Sequence, residues 1–181
     1  MTDSKVLYSA TMSLDGFIAG PGGDMHWLLP FLGPNPQVDW LVDDIGALLI
    51  GRRTWDGDDP NAGTEEEGAF GGQWSGPQVV VTHRLPDEPV EGVTFVDDMA
   101  RAIAVAREAA AGKYVNVLGA DVGRQCIELG ELDELLVIVA PVLLGGGTRM
   151  FDLRSRPDVE LETISASHAP LATNMHFRVV Y

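Results

Sequence analysis

Cysteine is nearly missing: Cys126 is the single one in 181 residues, which excludes an internal disulfide framework and any multi-cysteine zinc site, the paired-cysteine signature of nucleoside deaminases included. With Val122, Ile127 and Leu129 around it, Cys126 reads as a buried helical thiol. Basic residues are also scarce, twelve Lys and Arg against twenty-seven Asp and Glu, for a net charge of −15. That balance repels nucleic acid and anionic membranes, so neither is an expected partner. No apolar run approaches the roughly 18 residues of a membrane span. The start, Met1-Thr2-Asp3-Ser4-Lys5, lacks a secretory pattern, and a cytoplasmic location is the expectation.

What is there is ordinary for one globular domain: 45% hydrophobic and 22% charged residues in a length that suits a single core. Val6 to Met12 predicts a first strand, closed by the turn Ser13-Leu14-Asp15-Gly16. Val38 to Ile45 predicts a short helix and Ala47 to Gly51 a buried strand. Asp56 to Pro77, rich in Gly, Asp and Glu, predicts a long loop, and loops of this length are often lids. Strands follow at Gln78–Thr82 and Val93–Val96, then a helix capped by Asp97 or Asp98 that runs to Ala111. Tyr114–Leu118 predicts a strand and Asp121–Gly130 a helix. Glu134–Leu144 predicts a long strand interrupted by Pro141, and residues 161–167 and 175–181 an antiparallel pair. Strands alternating with helices, then strands alone, imply a three-layer α/β domain with a mostly parallel mixed sheet and an antiparallel C-terminal edge.

Against so acidic a background, the basic pairs stand out. Gly51-Arg52-Arg53-Thr54 follows one strand, Thr82-His83-Arg84 a second, and Gly119-Ala120-Asp121-Val122-Gly123 a third. In open α/β sheets, ligands bind beyond the carboxyl ends of strands. Glycines there admit a pyrophosphate close to the backbone, and guanidinium groups clasp a terminal phosphate. An NADPH-like dinucleotide needs both. Each feature alone has a plainer reading: solvated arginines, and a strand-to-helix turn.

Several short stretches together carry a resemblance: Ser13-Leu14-Asp15-Gly16-Phe17-Ile18-Ala19 with Trp27 twelve residues after Asp15, Gly51-Arg52-Arg53-Thr54-Trp55, Asp58-Asp59-Pro60, Val117-Leu118-Gly119, and Leu132-Asp133-Glu134-Leu135 leading to Ala140-Pro141-Val142-Leu143-Leu144-Gly145. In order and spacing the chain resembles the dihydrofolate reductase-like superfamily, in particular the reductase domain of RibD-type riboflavin-biosynthesis enzymes, standing alone. The resemblance implies an NADPH-dependent reductase acting on a small molecule, as a homodimer. It implies that Gly51, Arg52, Arg53, Thr54, His83 and Arg84 hold the adenosine end and its 2′-phosphate. Gly119, Ala120, Asp121, Val122 and Gly123 would cover the pyrophosphate, and Thr11, Ile18 and Trp27 would line the nicotinamide beside a closing loop over residues 20–30. Trp27 also reads as a core aromatic.

Asp15 and Asp58 are the candidate catalytic groups, although Asp15 equally suits a turn before Gly16. His26 and His83 are further possible proton donors, while His168 and His176 fall in the closing strands as structural residues. Two departures bear on the substrate. Folate reductases carry a carboxylate five residues after the loop tryptophan, where this chain has Leu32. Riboflavin reductases place an arginine after the Asp-Asp-Pro stretch and a glutamate ahead of the glycine turn, where this chain has Thr64-Glu65-Glu66-Glu67 and Leu118. The resemblance therefore implies a 5-amino-6-(5-phosphoribosylamino)uracil reductase-like activity, or reduction of a smaller or uncharged carbonyl, imine or pterin-like compound. A reading from another class is a non-catalytic dimeric module that binds NADPH, with Leu135–Leu144 as either its two-fold interface or a central core strand.

Overall fold

The computed structural model describes residues 4–57, 59–153 and 158–181. Its strands are β1 (Val6–Ser13), β2 (Phe17–Ala19), β3 (Ile45–Gly51), β4 (Gln78–Val81), β5 (Val93–Val96), β6 (Tyr114–Leu118), β7 (Glu134–Ala140), β8 (Thr148–Arg149), β9 (Glu160–Ala169) and β10 (Ala172–Val180). Its α-helices are α1 (Pro36–Asp44), α2 (Arg52–Trp55), α3 (Met99–Ala110) and α4 (Ala120–Glu128). Eight strands form one sheet in the order β5-β4-β3-β6-β1-β7-β10-β9. The six strands from β5 to β7 pair in parallel, and β10 and β9 close the sheet antiparallel. This is the three-layer α/β arrangement that the strand and helix order implies.

Alternation along the strands sorts the core onto two faces. Val6, Tyr8, Ala47, Leu49, Val115 and Val117 turn toward α3 and α4. Leu7, Leu48, Ile50, Val80, Leu136 and Ile138 turn toward α1. Helix α3 forms because Asp98 caps it, accepting from the Arg101 N–H at 2.8 Å, and because Met99, Ala102, Ile103, Ala106 and Ala110 recur on one buried face. Asn35 caps α1 by accepting from Gln37 N–H at 3.2 Å, with Pro36 preset in the first turn. In α4, Cys126 is fully buried, and burial pushes its thiol up to about 12.

Two expectations need correction. The strand expected over Glu134–Leu144 stops at Ala140, because Pro141 has no N–H for the ladder and the chain turns at once, Val142 N–H donating to Ala140 C=O at 2.8 Å. β1 and β10 pair with that strand on its two sides, so it is a central strand of the sheet. The first helix begins at Pro36, two residues earlier than the apolar pattern suggests, and hands over to β3 at Ile45.

A buried charged cluster locks the sheet at the amino ends of its central strands. Glu134 Oε1 accepts from Lys5 Nζ at 2.7 Å, while Oε2 accepts from the Tyr114 hydroxyl at 2.9 Å and lies 2.8 Å from His176 Nε2. Burial alone would raise the Glu134 carboxyl, but the hydrogen bonds from His176, Lys5 and Tyr114 outweigh it and bring it down to about 2. Between the ordinary glutamate value of 4.5 and about 2, the unfolded chain therefore binds a proton that the folded chain refuses. Stability falls as pH drops through that window. In urea melts from pH 7 to pH 2, Glu134→Gln is expected to lose about 3 kcal/mol at neutral pH, the cost of orphaning buried partners, and to flatten the acid slope. An unaltered slope would place the acid sensitivity elsewhere.

Candidate functional site

Parallel pairing brings the carboxyl ends of β1, β3, β4 and β6 to one edge of the sheet, where a continuous cleft of about 2290 Å³ opens. Pockets for single small ligands usually measure roughly 300–1,000 Å³, so the cleft has room for a dinucleotide and a second molecule. Thr11, Ile18, Gly51, Arg52, Arg53, Thr54, His83, Arg84, Gly119, Ala120, Asp121 and Val122 all line it. Separate in sequence, they share one surface.

At the basic end, Arg52 is committed to structure. Its Nε donates to Asp56 at 2.6 Å, its Nη1 to the Arg84 carbonyl at 3.3 Å, and its guanidinium lies 5.3 Å from the Trp55 ring centroid. These contacts tie the turn after β3 to the turn after β4. Thr82 shapes the second turn, its hydroxyl accepting from Arg84 N–H and donating to Arg84 C=O, both at 3.1 Å. Arg53, His83 and Arg84 are left exposed on the cleft wall, and no ion pair engages the Arg53 or Arg84 guanidinium among the described residues. The basic end thus keeps two guanidiniums outside any ion pair among the described residues.

Next to it, α4 begins at Gly119, whose φ of +104° is one that residues with a side chain rarely adopt. A Cβ there would meet Thr54 Oγ1 at 2.5 Å, so the glycine lets the turns after β3 and β6 touch. The first N–H groups of α4 open on the cleft beside Gly119 and Ala120. Asp121 would repel an anion, but its carboxylate turns along its own helix, Oδ1 accepting from Arg124 at 2.6 Å and Oδ2 from Gln125 at 2.8 Å. The hydrogen bond from Arg124 outweighs partial burial and holds it below the usual aspartate range. Gly123 is different: it does not line the cleft, and a Cβ would run into the Tyr8 ring at 2.5 Å. Its smallness serves close packing of helix on strand.

The remaining candidates separate. Thr11 and Ile18 stand on the cleft wall at the end of β1 and in β2, but Trp27 does not. Its indole packs 6.4 Å from the Phe31 ring, with the buried Nε1 unpaired among the described residues. Asp58 lies outside the described residues. Asp15 is corrected as a catalytic candidate. It is not on the cleft, and both carboxylate oxygens are occupied, Oδ1 by Leu144 N–H at 3.0 Å and Oδ2 by Gly145 N–H at 2.7 Å. The Ser13 hydroxyl and these amides bring its carboxyl down to about 2, so it has no proton to donate at neutral pH.

Asp15 is a clamp, and it organises a wall that the sequence conceals. By holding residues 144–145 it seats β8 against β2, with Phe17 opposite Arg149 and the Arg149 guanidinium 4.6 Å from the Phe17 ring centroid. Gly147, at φ +128°, comes so close to the Ala19 carbonyl that no Cβ fits. Gly147 and Thr148 join the cleft wall as a result. The glycine run was the available signal, but nothing in it names its partner. The loop over residues 56–77 also closes on the cleft through Asn61, Glu66, Phe70 and Gln73. It is pinned by Trp74 Nε1 donating to the Ile45 carbonyl at 3.2 Å and by Asp59 accepting from Asn61 and Gly68 N–H at 2.8 and 2.7 Å.

Comparison with known proteins gives a consistent result. The family model of the RibD C-terminal domain matches residues 4–118. An uncharacterised Bacillus subtilis protein, YyaP, is 25% identical over 170 residues, covering 87% of this chain and 86% of its own. A crystal structure of a Shewanella sp. PV-4 protein assigned to riboflavin biosynthesis superposes with a TM-score of 0.75 at 21% identity, covering 98% of this chain and 99% of that one. Dihydrofolate reductase from Enterococcus faecalis, solved with NADP(H), superposes with a TM-score of 0.63 at 18% identity, covering 97% and 96%. The fold is that of the dihydrofolate reductase-like proteins.

Two substitutions probe the geometry. Asp15→Ala is expected to lower the melting temperature and accelerate amide exchange at Leu144 and Gly145. Unchanged exchange there would remove the clamp. Gly119→Ala is expected to lower the melting temperature, because the added methyl pushes Thr54 away and strains the helix start; an unchanged melting temperature would remove that contact.

Proposed function

The chain belongs to the RibD C-terminal domain family, and from that premise we propose that it is an NADPH-dependent reductase of a small carbonyl or imine compound, in the manner of 5-amino-6-(5-phosphoribosylamino)uracil reductases. The observation that carries the reading is the meeting of Arg53 and Arg84, uncommitted among the described residues, with the open start of α4 in one cleft. A dinucleotide phosphate needs those two features a short distance apart. Arg53 and Arg84 grip the 2′-phosphate, Arg52 fixes the two turns that carry them, and the N–H groups at Gly119 and Ala120 receive the pyrophosphate. Asp121 lines the same place, its charge partly offset by Arg124 and Gln125.

Along the same cleft, Thr11, Ile18, Gly147 and Thr148 form the wall for the nicotinamide and hold it against the second ligand. When bound, NADPH supplies a hydride to the electrophilic carbon, while the attached oxygen or nitrogen takes up a proton and NADP+ is the oxidised product. The chain's own part is positioning and exclusion of water. Phe70 of the long loop and Met25, His26, Leu28 and Phe31 also border the cleft.

Thermal melting tests the cofactor assignment directly. Ligand that binds only the folded state raises apparent stability by RT ln(1 + [L]/Kd). NADPH is expected to raise the melting temperature more than NADH at equal concentration, and the double variant Arg53→Glu/Arg84→Glu to abolish the difference. Equal shifts by the two cofactors in the wild type, or a preference that survives the double variant, would reject the phosphate site.

A further inference from the structure

The arginines of the cleft are gathered on one side. Arg52, Arg53 and Arg84 all enter from the turns after β3 and β4. The opposite end, between α1, β7 and β10, contributes Asp39 to the lining and neither lysine nor arginine among the described residues. From β3 to β10 the sheet crosses four strand spacings, roughly 19 Å. That exceeds the screening length of about 8 Å at physiological salt, so the basic end does little for a charge held at the far end.

What the far end offers is neutral. Asn35 and Asn174 face each other in a reciprocal amide pair, Nδ2 to Oδ1 at 2.8 and 3.0 Å, and Asn174 Nδ2 also donates to Ser167 Oγ at 3.2 Å. Both asparagines are buried, and Asn35 lines the cleft. With its amide already paired in both directions, this wall presents polarity without a surplus cationic donor. Phe31, Phe70 and Ile138 supply flat apolar surface around it, and Ser9, whose hydroxyl donates to Asn116 Oδ1 at 2.7 Å, keeps its oxygen as an acceptor in the floor.

We propose that the substrate of this reductase is an uncharged, phosphate-free planar heterocycle, bound between these apolar walls and read by Ser9. The proposal rests on the reductase reading above and narrows it. A phosphate at this end would be taken from water with no cation among the described residues to receive it and with Asp39 repelling it.

Matched pairs that differ only by a phosphate test the assignment: riboflavin and its 5′-phosphate, guanosine and its 5′-phosphate, and 5-amino-6-ribitylaminouracil and its 5′-phosphate. Each is titrated calorimetrically into the NADPH-saturated protein, after NADPH binding has itself been measured. The expected result is that the unphosphorylated member of each pair that binds does so at least tenfold more tightly. The gap should narrow in 0.5 M salt and in Asp39→Asn. Tighter or equal binding of the phosphorylated member overturns the proposal. So does binding of no member by protein that does hold NADPH, which leaves the reductase reading standing. Failure to hold NADPH would instead remove that reading and the proposal with it.

Discussion

Parallel pairing is the constraint on which the rest depends. Because β1, β3, β4 and β6 run the same way, their carboxyl ends meet at one edge, and whatever follows each strand is delivered to one surface. Arg53, Arg84 and Gly119 lie far apart in the sequence and would share nothing in an antiparallel meander. The strands hold that direction because both faces of the sheet are covered: apolar residues at alternate positions meet α3 and α4 on one side and α1 on the other.

Placement of charge follows from this frame. A protein of net charge −15 must keep its own carboxylates from a phosphate site, and here several acids near the cleft are spoken for. Asp56 holds Arg52, Asp121 is bound by Arg124 and Gln125, and Asp15 is consumed by backbone amides at residues 144–145. The arginine next to an acid is spent on shape, and the arginines left over face the cleft. At the other pole Glu134 gathers Lys5, Tyr114 and His176, so the buried charge that organises the central strands lies away from the cleft.

Much of this was legible in the sequence. Apolar runs, caps such as Asp98 and glycine punctuation located the main strands and helices, and the basic pairs after Ile50 and Thr82 pointed to one edge of the sheet. What remained hidden depends on partners distant in the chain. Asp15 before Gly16 has the same local signature whether it caps a turn or faces a substrate, and only the fold reveals that residues 144–145 take up its charge. Gly119 and Gly123 look alike as text, yet one admits Thr54 and the other the Tyr8 ring. Trp27 belongs to a segment of 3-10 helix that turns its indole toward Phe31, an orientation that spacing alone does not encode.

The most direct measurement is a two-dimensional NMR titration with adenosine 2′,5′-bisphosphate, which carries the adenosine end of NADPH without its nicotinamide. The account predicts that the largest amide shifts fall at residues 51–54, 82–84 and 119–121. Shifts confined to other surfaces, or none at saturating concentration, would contradict it.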